Sequence, residues 1–198
     1  PLNKLRLLLE AVDTNVFWEV QCAFFLVLVM FLYSRSEYGC PKHHTGEESL
    51  DPNRHWLVRD IVIRMTNYGY ALMARCKGNK TDRRIERPTA RGDGSNPGGA
   101  QLGGNDWATV GDVPGIFSIF TWYRRLMSFY TGPRPPADPF FMAKDRKRAY
   151  TYTAAMSDFH ALLARVSDDI AYGLHGLRVL GYNLSLSANG EAITVAHG

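Results

Sequence analysis

The pair that invites a chemical reading is His175 and Arg178 of His175-Gly176-Leu177-Arg178, three residues apart in a stretch of helical character. The planar fork of an arginine suits the charge that builds on the non-bridging oxygens of a phosphodiester under attack. A nearby histidine or lysine can supply the proton that the departing oxygen needs. A second group of reactive types is Cys40-Pro41-Lys42-His43-His44, with His55 further on. Zinc sites pair ligands at tight spacing on both sides of the ion. Only one half of such a pattern is visible here, so the stretch reads as a loop. Residues 92–106, rich in Gly, Asn and Asp, have no apolar periodicity and no phosphate-loop pattern, and read as a flexible Gly-rich surface loop. No metal and no nucleotide cofactor is expected.

These groups need a scaffold. With 198 residues, 45% of them hydrophobic, the chain can bury one real core, so a single domain spanning 1–198 is expected. The net charge of +4 permits a phosphate-binding face without requiring one. Its distribution is uneven: Arg75 to Arg91 holds seven Lys or Arg against two acidic residues, and Lys144 to Arg148 forms a second basic cluster. Three widely spaced cysteines, Cys22, Cys40 and Cys76, argue against a disulfide framework and for a reducing compartment. The opening Pro1-Leu2-Asn3-Lys4 lacks the pattern of a signal peptide and an initiator Met, which reads as a start within a longer protein or after processing.

Apolar spacing predicts helices over 3–33, broken at Asp13-Thr14-Asn15. Cys22 to Tyr33 is twelve residues without a charge. A membrane span needs about 20, and Glu19, Gln21, Arg35 and Glu37 flank the run, so a buried core helix is expected, with a membrane-associated segment as the alternative. Strands are expected over Trp56–Met65 and Tyr70–Cys76, with Lys77–Lys80 as a turn and Thr81–Arg87 pairing back. Phe117–Tyr130 reads as a helix. A further helix runs to Val166 with Thr153 as its N-cap and Phe159, Leu162 and Leu163 on one face. More helices are expected around His175–Arg178 and after Glu191. The fold class is mainly α with a small antiparallel β-sheet (α+β). Trp18, Trp56, Trp107 and Trp122 read as core, and Arg124-Arg125 as a solvated helix face.

Four motifs in order make the chain resemble the catalytic domain of a tyrosine recombinase, of the phage-integrase family. Phe31-Leu32-Tyr33-Ser34-Arg35-Ser36-Glu37 is similar to the family's arginine after an apolar helix, with an acidic residue two places on. Tyr70 to Lys80 resembles its strand and lysine-bearing turn, with Lys77 the better match and Lys80 the second. His175-Gly176-Leu177-Arg178 looks like its His-x-x-Arg, and Thr194-Val195-Ala196-His197 like its last histidine. The phrasing around Tyr172–Val179 and Gly190–His197 is most similar to the mobile-element type of eukaryotic and algal genomes. The resemblance spans roughly residues 17 to 198.

What the resemblance implies is DNA cleavage and rejoining through a 3′-phosphotyrosyl link. Arg35 and Arg178 would hold the scissile phosphate and Lys77 would protonate the leaving oxygen. His175 would assist proton transfer and His197 would support the transition state. The partners implied are duplex DNA and sister protomers in a tetramer, and the compartment is the nucleus or another that contains DNA. The nucleophilic tyrosine is expected beyond His197. None of the ten tyrosines present matches it, and Tyr182 follows Arg178 too closely. As given, the chain is therefore expected to lack cleavage activity and to be incomplete at its C-terminus. The alternative is a domesticated or truncated recombinase fold, a non-catalytic structural or binding subunit of a larger assembly. Each residue also has an ordinary reading: Arg35 as a helix-end cation, Lys77 and Lys80 as solvated turn residues, His175 as a buried structural histidine.

Overall fold

The computed structural model describes residues 2–32, 39–46, 49–67, 69–75, 107–168 and 173–189. Their order is α1 (Leu2–Glu10), α2 (Phe17–Leu32), a 3₁₀ turn (Val58–Asp60), β1 (Ile61–Thr66), β2 (Gly69–Arg75), β3 (Trp107–Gly111), α3 (Ile119–Met127), α4 (Tyr152–Leu163) and α5 (Leu174–Asn189). This is an α+β arrangement: five helices and one antiparallel sheet of order β1-β2-β3 among the described residues.

α2 is the centre. A helix that is apolar on all sides has to be enclosed on all sides, and Val20 and Cys22 to Val29 are each 0% exposed. α3, α4 and α5 all pack against it. Its aromatic rings carry the packing outward: Phe24 lies 5.8 Å from Phe140, and Phe25 meets Phe141 edge-on at 5.1 Å. Gly39 is required here, since a Cβ at that position would come within 2.6 Å of the Phe25 ring. No helix among the described residues is long and apolar enough to cross a membrane, and the run from Cys22 to Leu32 is helix core instead.

The polar residues at the start of α2 are buried too. Gln21 donates from Nε2 to the Met142 carbonyl at 2.6 Å and accepts from the Met142 N–H at 2.8 Å. Glu19 receives both arms of Arg165, each at 2.7 Å, and the Asp13 N–H at 2.8 Å. Burial alone would raise the Glu19 carboxyl, but the Arg165 and Asp13 bonds outweigh it and hold the group below the ordinary glutamate range.

The sheet differs from expectation in two places. Trp56 and Leu57 precede β1 as an extended bridge and a 3₁₀ turn, with Leu57 paired to Pro139. The strand on the far side of β2 is Trp107–Gly111. β1 and β3 lie on either side of β2; the expected pairing of Thr81–Arg87 lies outside the described residues. A smaller correction falls on α4. Thr151, rather than Thr153, is its N-cap, and its hydroxyl accepts from the Ala154 N–H at 3.3 Å.

Candidate functional site

His175 and Arg178 stand in the first two turns of α5, and Tyr182 follows on the same flank at i, i+3 and i+7. The adjacent flank, about 100° round the helix, buries Leu174, Leu177 and Gly181. His175 is exposed and Arg178 is half-buried. A buried structural histidine is therefore the wrong description of His175. The side chain is open to solvent, one helical step along α5 from the half-buried Arg178.

Arg35, Lys77, Lys80 and His197 lie outside the described residues, as do the Gly-rich stretch 92–106 and the segment after Glu191. The chain on either side of two of them is well defined. Leu32, at the end of α2, is buried in the core, and Gly39 is buried against the Phe25 and Phe141 rings, so the described residues on both sides of the link bearing Arg35 belong to the core. Arg75 closes β2 two positions before Lys77. Its carbonyl accepts from the Trp56 indole N–H at 2.9 Å, and its guanidinium lies 3.4 Å from Asp60 and 5.1 Å above the Trp107 ring.

One continuous set of buried contacts joins these points. α5 packs on α2, α2 meets Phe140 and Phe141, Phe141 lies 6.5 Å from Trp56, and Trp56 bonds to Arg75. The backbone reinforces the last step. Phe140 N–H donates to the Trp56 carbonyl at 2.9 Å and Val58 N–H to the Asp138 carbonyl at 2.9 Å. The helix that leads to Arg35, the helix that bears His175 and Arg178, and the strand that leads to Lys77 are thus joined by one chain of packed side chains.

The two basic clusters separate clearly. In the turn after Met142, Lys144 pairs with buried Asp158 at 2.8 Å and lies over Trp18. Arg146 takes a left-handed backbone (φ 54°), donates to the Phe129 carbonyl at 2.8 Å and covers Phe17, while Arg148 pairs with Asp145 at 3.0 Å. This cluster is mostly committed to internal partners. Between 77 and 91, six basic residues face two acidic ones, a net +4 that equals the formal charge of the whole chain. Arg124 is exposed, as expected of a solvated helix face, whereas Arg125 is half-buried and lies over Trp122 at 4.8 Å.

Other chemistry finds little support among the described residues. They contain no group of three or more His, Cys, Asp or Glu that could hold a metal ion. His43 and His44 are exposed, whereas Cys40 is turned into the core. Burial pushes the Cys22 and Cys40 thiols well above their usual range, which keeps them protonated and poor as nucleophiles. Trp56 and Trp122 are enclosed, and Trp18 and Trp107 are half-buried against cations.

No family model matches the chain, and no curated protein or solved structure matches it.

Proposed function

We propose that this chain is the phosphate-holding catalytic-type domain of a tyrosine-recombinase-like DNA strand transferase. The observation that carries the reading is the convergence on α2. The exposed His175 and half-buried Arg178 occupy the first two turns of a helix packed on it, and its own C-terminal end leads directly into the link bearing Arg35. The end of β2 that precedes Lys77 is tied to the same hub through Trp56. In this reading Arg35 and Arg178 grip the non-bridging oxygens of a DNA phosphate. Lys77 donates to the leaving 5′-oxygen, His175 relays a proton, and His197 adds a hydrogen bond as charge develops. A tyrosine hydroxyl, for which the resemblance supplies no match in 1–198, would form the 3′-phosphotyrosyl bond, and sister protomers would supply the paired strands. DNA is the partner, and neither metal nor nucleotide takes part.

Duplex titration at several salt concentrations tests the reading. Binding should weaken steeply with salt as phosphate counterions return. Arg178→Ala should lower the slope of log K against log salt by about one without a change in sequence preference. A wild-type chain whose duplex affinity is weak and flat with salt would remove the proposal. It would leave the second reading, a non-catalytic binding subunit. That reading is favoured by the small apolar groove, of about 40 Å³, between Leu5 and Leu8 of α1, Phe159 and Leu163 of α4, and Leu177 and Leu180 of α5.

A further inference from the structure

The tyrosine hydroxyls of the described residues differ in what they meet. Tyr150 donates to Asp158 at 2.9 Å, and the Tyr130 hydroxyl is enclosed without a partner among the described residues. Tyr182 is half-buried, its hydroxyl reaches solvent, and it bonds to no described residue. It stands one turn beyond Arg178 and two turns beyond His175, on the open flank of α5. That flank therefore presents three donors in one row: an imidazole, a guanidinium and a phenol. No carboxylate interrupts the row, since α5 has no acidic residue from Leu174 to Asn189.

A row of donors without a carboxylate suits an anion, and its length says more. The rise from His175 to Tyr182 is about 10 Å, and that from Arg178 to Tyr182 is about 6 Å. The phosphates of one DNA strand follow one another every 3.4 Å or so, roughly, of duplex axis. The row thus outruns a single phosphate. We propose that Tyr182 is a phosphate-contact residue of α5: its hydroxyl donates to a DNA phosphate next to the one that Arg178 and His175 take, and so fixes the register of the strand on the helix. This rests on the reading of α5 as a phosphate-binding helix. The contact is non-covalent. The ring is half-covered by the fold, so the hydroxyl is presented with little loss of side-chain freedom on binding. Because the phenol is neutral, it adds a hydrogen bond without displacing a counterion.

That neutrality shapes the test. In duplex titrations over a range of salt, Tyr182→Phe should weaken binding about tenfold at every salt concentration and leave the slope of log K against log salt unchanged. Arg178→Ala, by contrast, should lower the slope by about one. The Tm of Tyr182→Phe should match wild type, since the lost hydroxyl bonds to no described residue. If Tyr182 only packs, Tyr182→Phe binds duplex like wild type and Tyr182→Ala alone loses affinity, together with Tm. That result overturns the proposal, and so does equal binding by wild type and both variants. A wild-type chain that does not bind duplex DNA refutes the recombinase reading instead. Inorganic phosphate then decides the role of Tyr182. Phosphate-dependent shifts of the α5 amide resonances that weaken in Tyr182→Phe keep its hydroxyl as a phosphate contact. Shifts equal in both proteins, or none, overturn it.

Discussion

α2 and α5 are each sixteen residues long and pack on one another, yet they are built to opposite ends. α2 has almost no surface: from Val20 to Met30 every residue is buried, including Gln21. α5 keeps Leu174 and Leu177 inside and gives His175, Gly176, Val179, Asn183 and Leu184 to solvent. A helix enclosed on every side can meet a ligand only through the chain at its ends, whereas one with an open flank can meet it along its length. The proposed roles follow that division. Arg35 is placed just past the end of α2, and His175 and Arg178 lie on the open flank of α5.

The comparison breaks most visibly in the hub. Phe24→Ala should cost about 3–5 kcal/mol in a urea unfolding titration, because the ring leaves a cavity among Tyr123, Phe140 and Phe141. A loss below about 1 kcal/mol would mean that α2 is less enclosed than described. Next comes the polar end of the same helix. Gln21→Leu keeps size and helix propensity but strands the buried N–H and carbonyl of Met142, and a loss of about 2–4 kcal/mol is expected.

The third effect depends on pH. The Glu19 carboxyl is held below its ordinary range, so its contribution to stability is fully present above about pH 4.3, the unfolded value. It is lost as pH falls through the lower folded value. The gap in Tm between wild type and Glu19→Gln should therefore be widest near neutrality and close on acidification. A gap that widens in acid would contradict the Arg165 pairing. The smallest effect belongs to α5. His175→Ala should change stability by no more than about 0.5 kcal/mol, since the side chain is exposed, while weakening duplex binding under the proposed function. Equal losses in both measurements would return His175 to a structural role.

Much of this scaffold is legible in the sequence, and the exceptions share a cause. The charge-free run from Cys22 announces a core helix because no other element could hide it. His175 and Arg178 declare their helix through flanking leucines. Glu19 and Gln21 read only as the polar limit of that run, because their partners, Arg165 and Met142, lie 146 and 121 residues away. β3 is short and follows a Gly-rich stretch, so its few alternating residues do not stand out, and the role of Trp107 depends on a strand it does not adjoin in sequence. Two threonines one residue apart, Thr151 and Thr153, offer equally good caps, and the phase of Ala155, Phe159 and Leu162 against the core chooses between them. The cluster at Lys144–Arg148 looks like the basic stretch at 77–91, but Asp145, Asp158 and the Phe129 carbonyl occupy most of it. For the site itself, the order of the motifs is legible, whereas their convergence on α2 needs contacts that cross the whole chain.

The bonds from Gln21 to Met142 and from Glu19 to Arg165 also set a clock for biosynthesis. On the ribosome α2 emerges before the partners of its two buried polar side chains, which are made 121 and 146 residues later. At about 5–20 residues per second, a helix with almost no surface of its own waits roughly 6–30 s for its enclosure. During that interval it is an apolar, partly unsatisfied segment, the kind of client that holding chaperones take up. The yield of folded protein should therefore respond to translation speed and chaperone supply more than its final stability does.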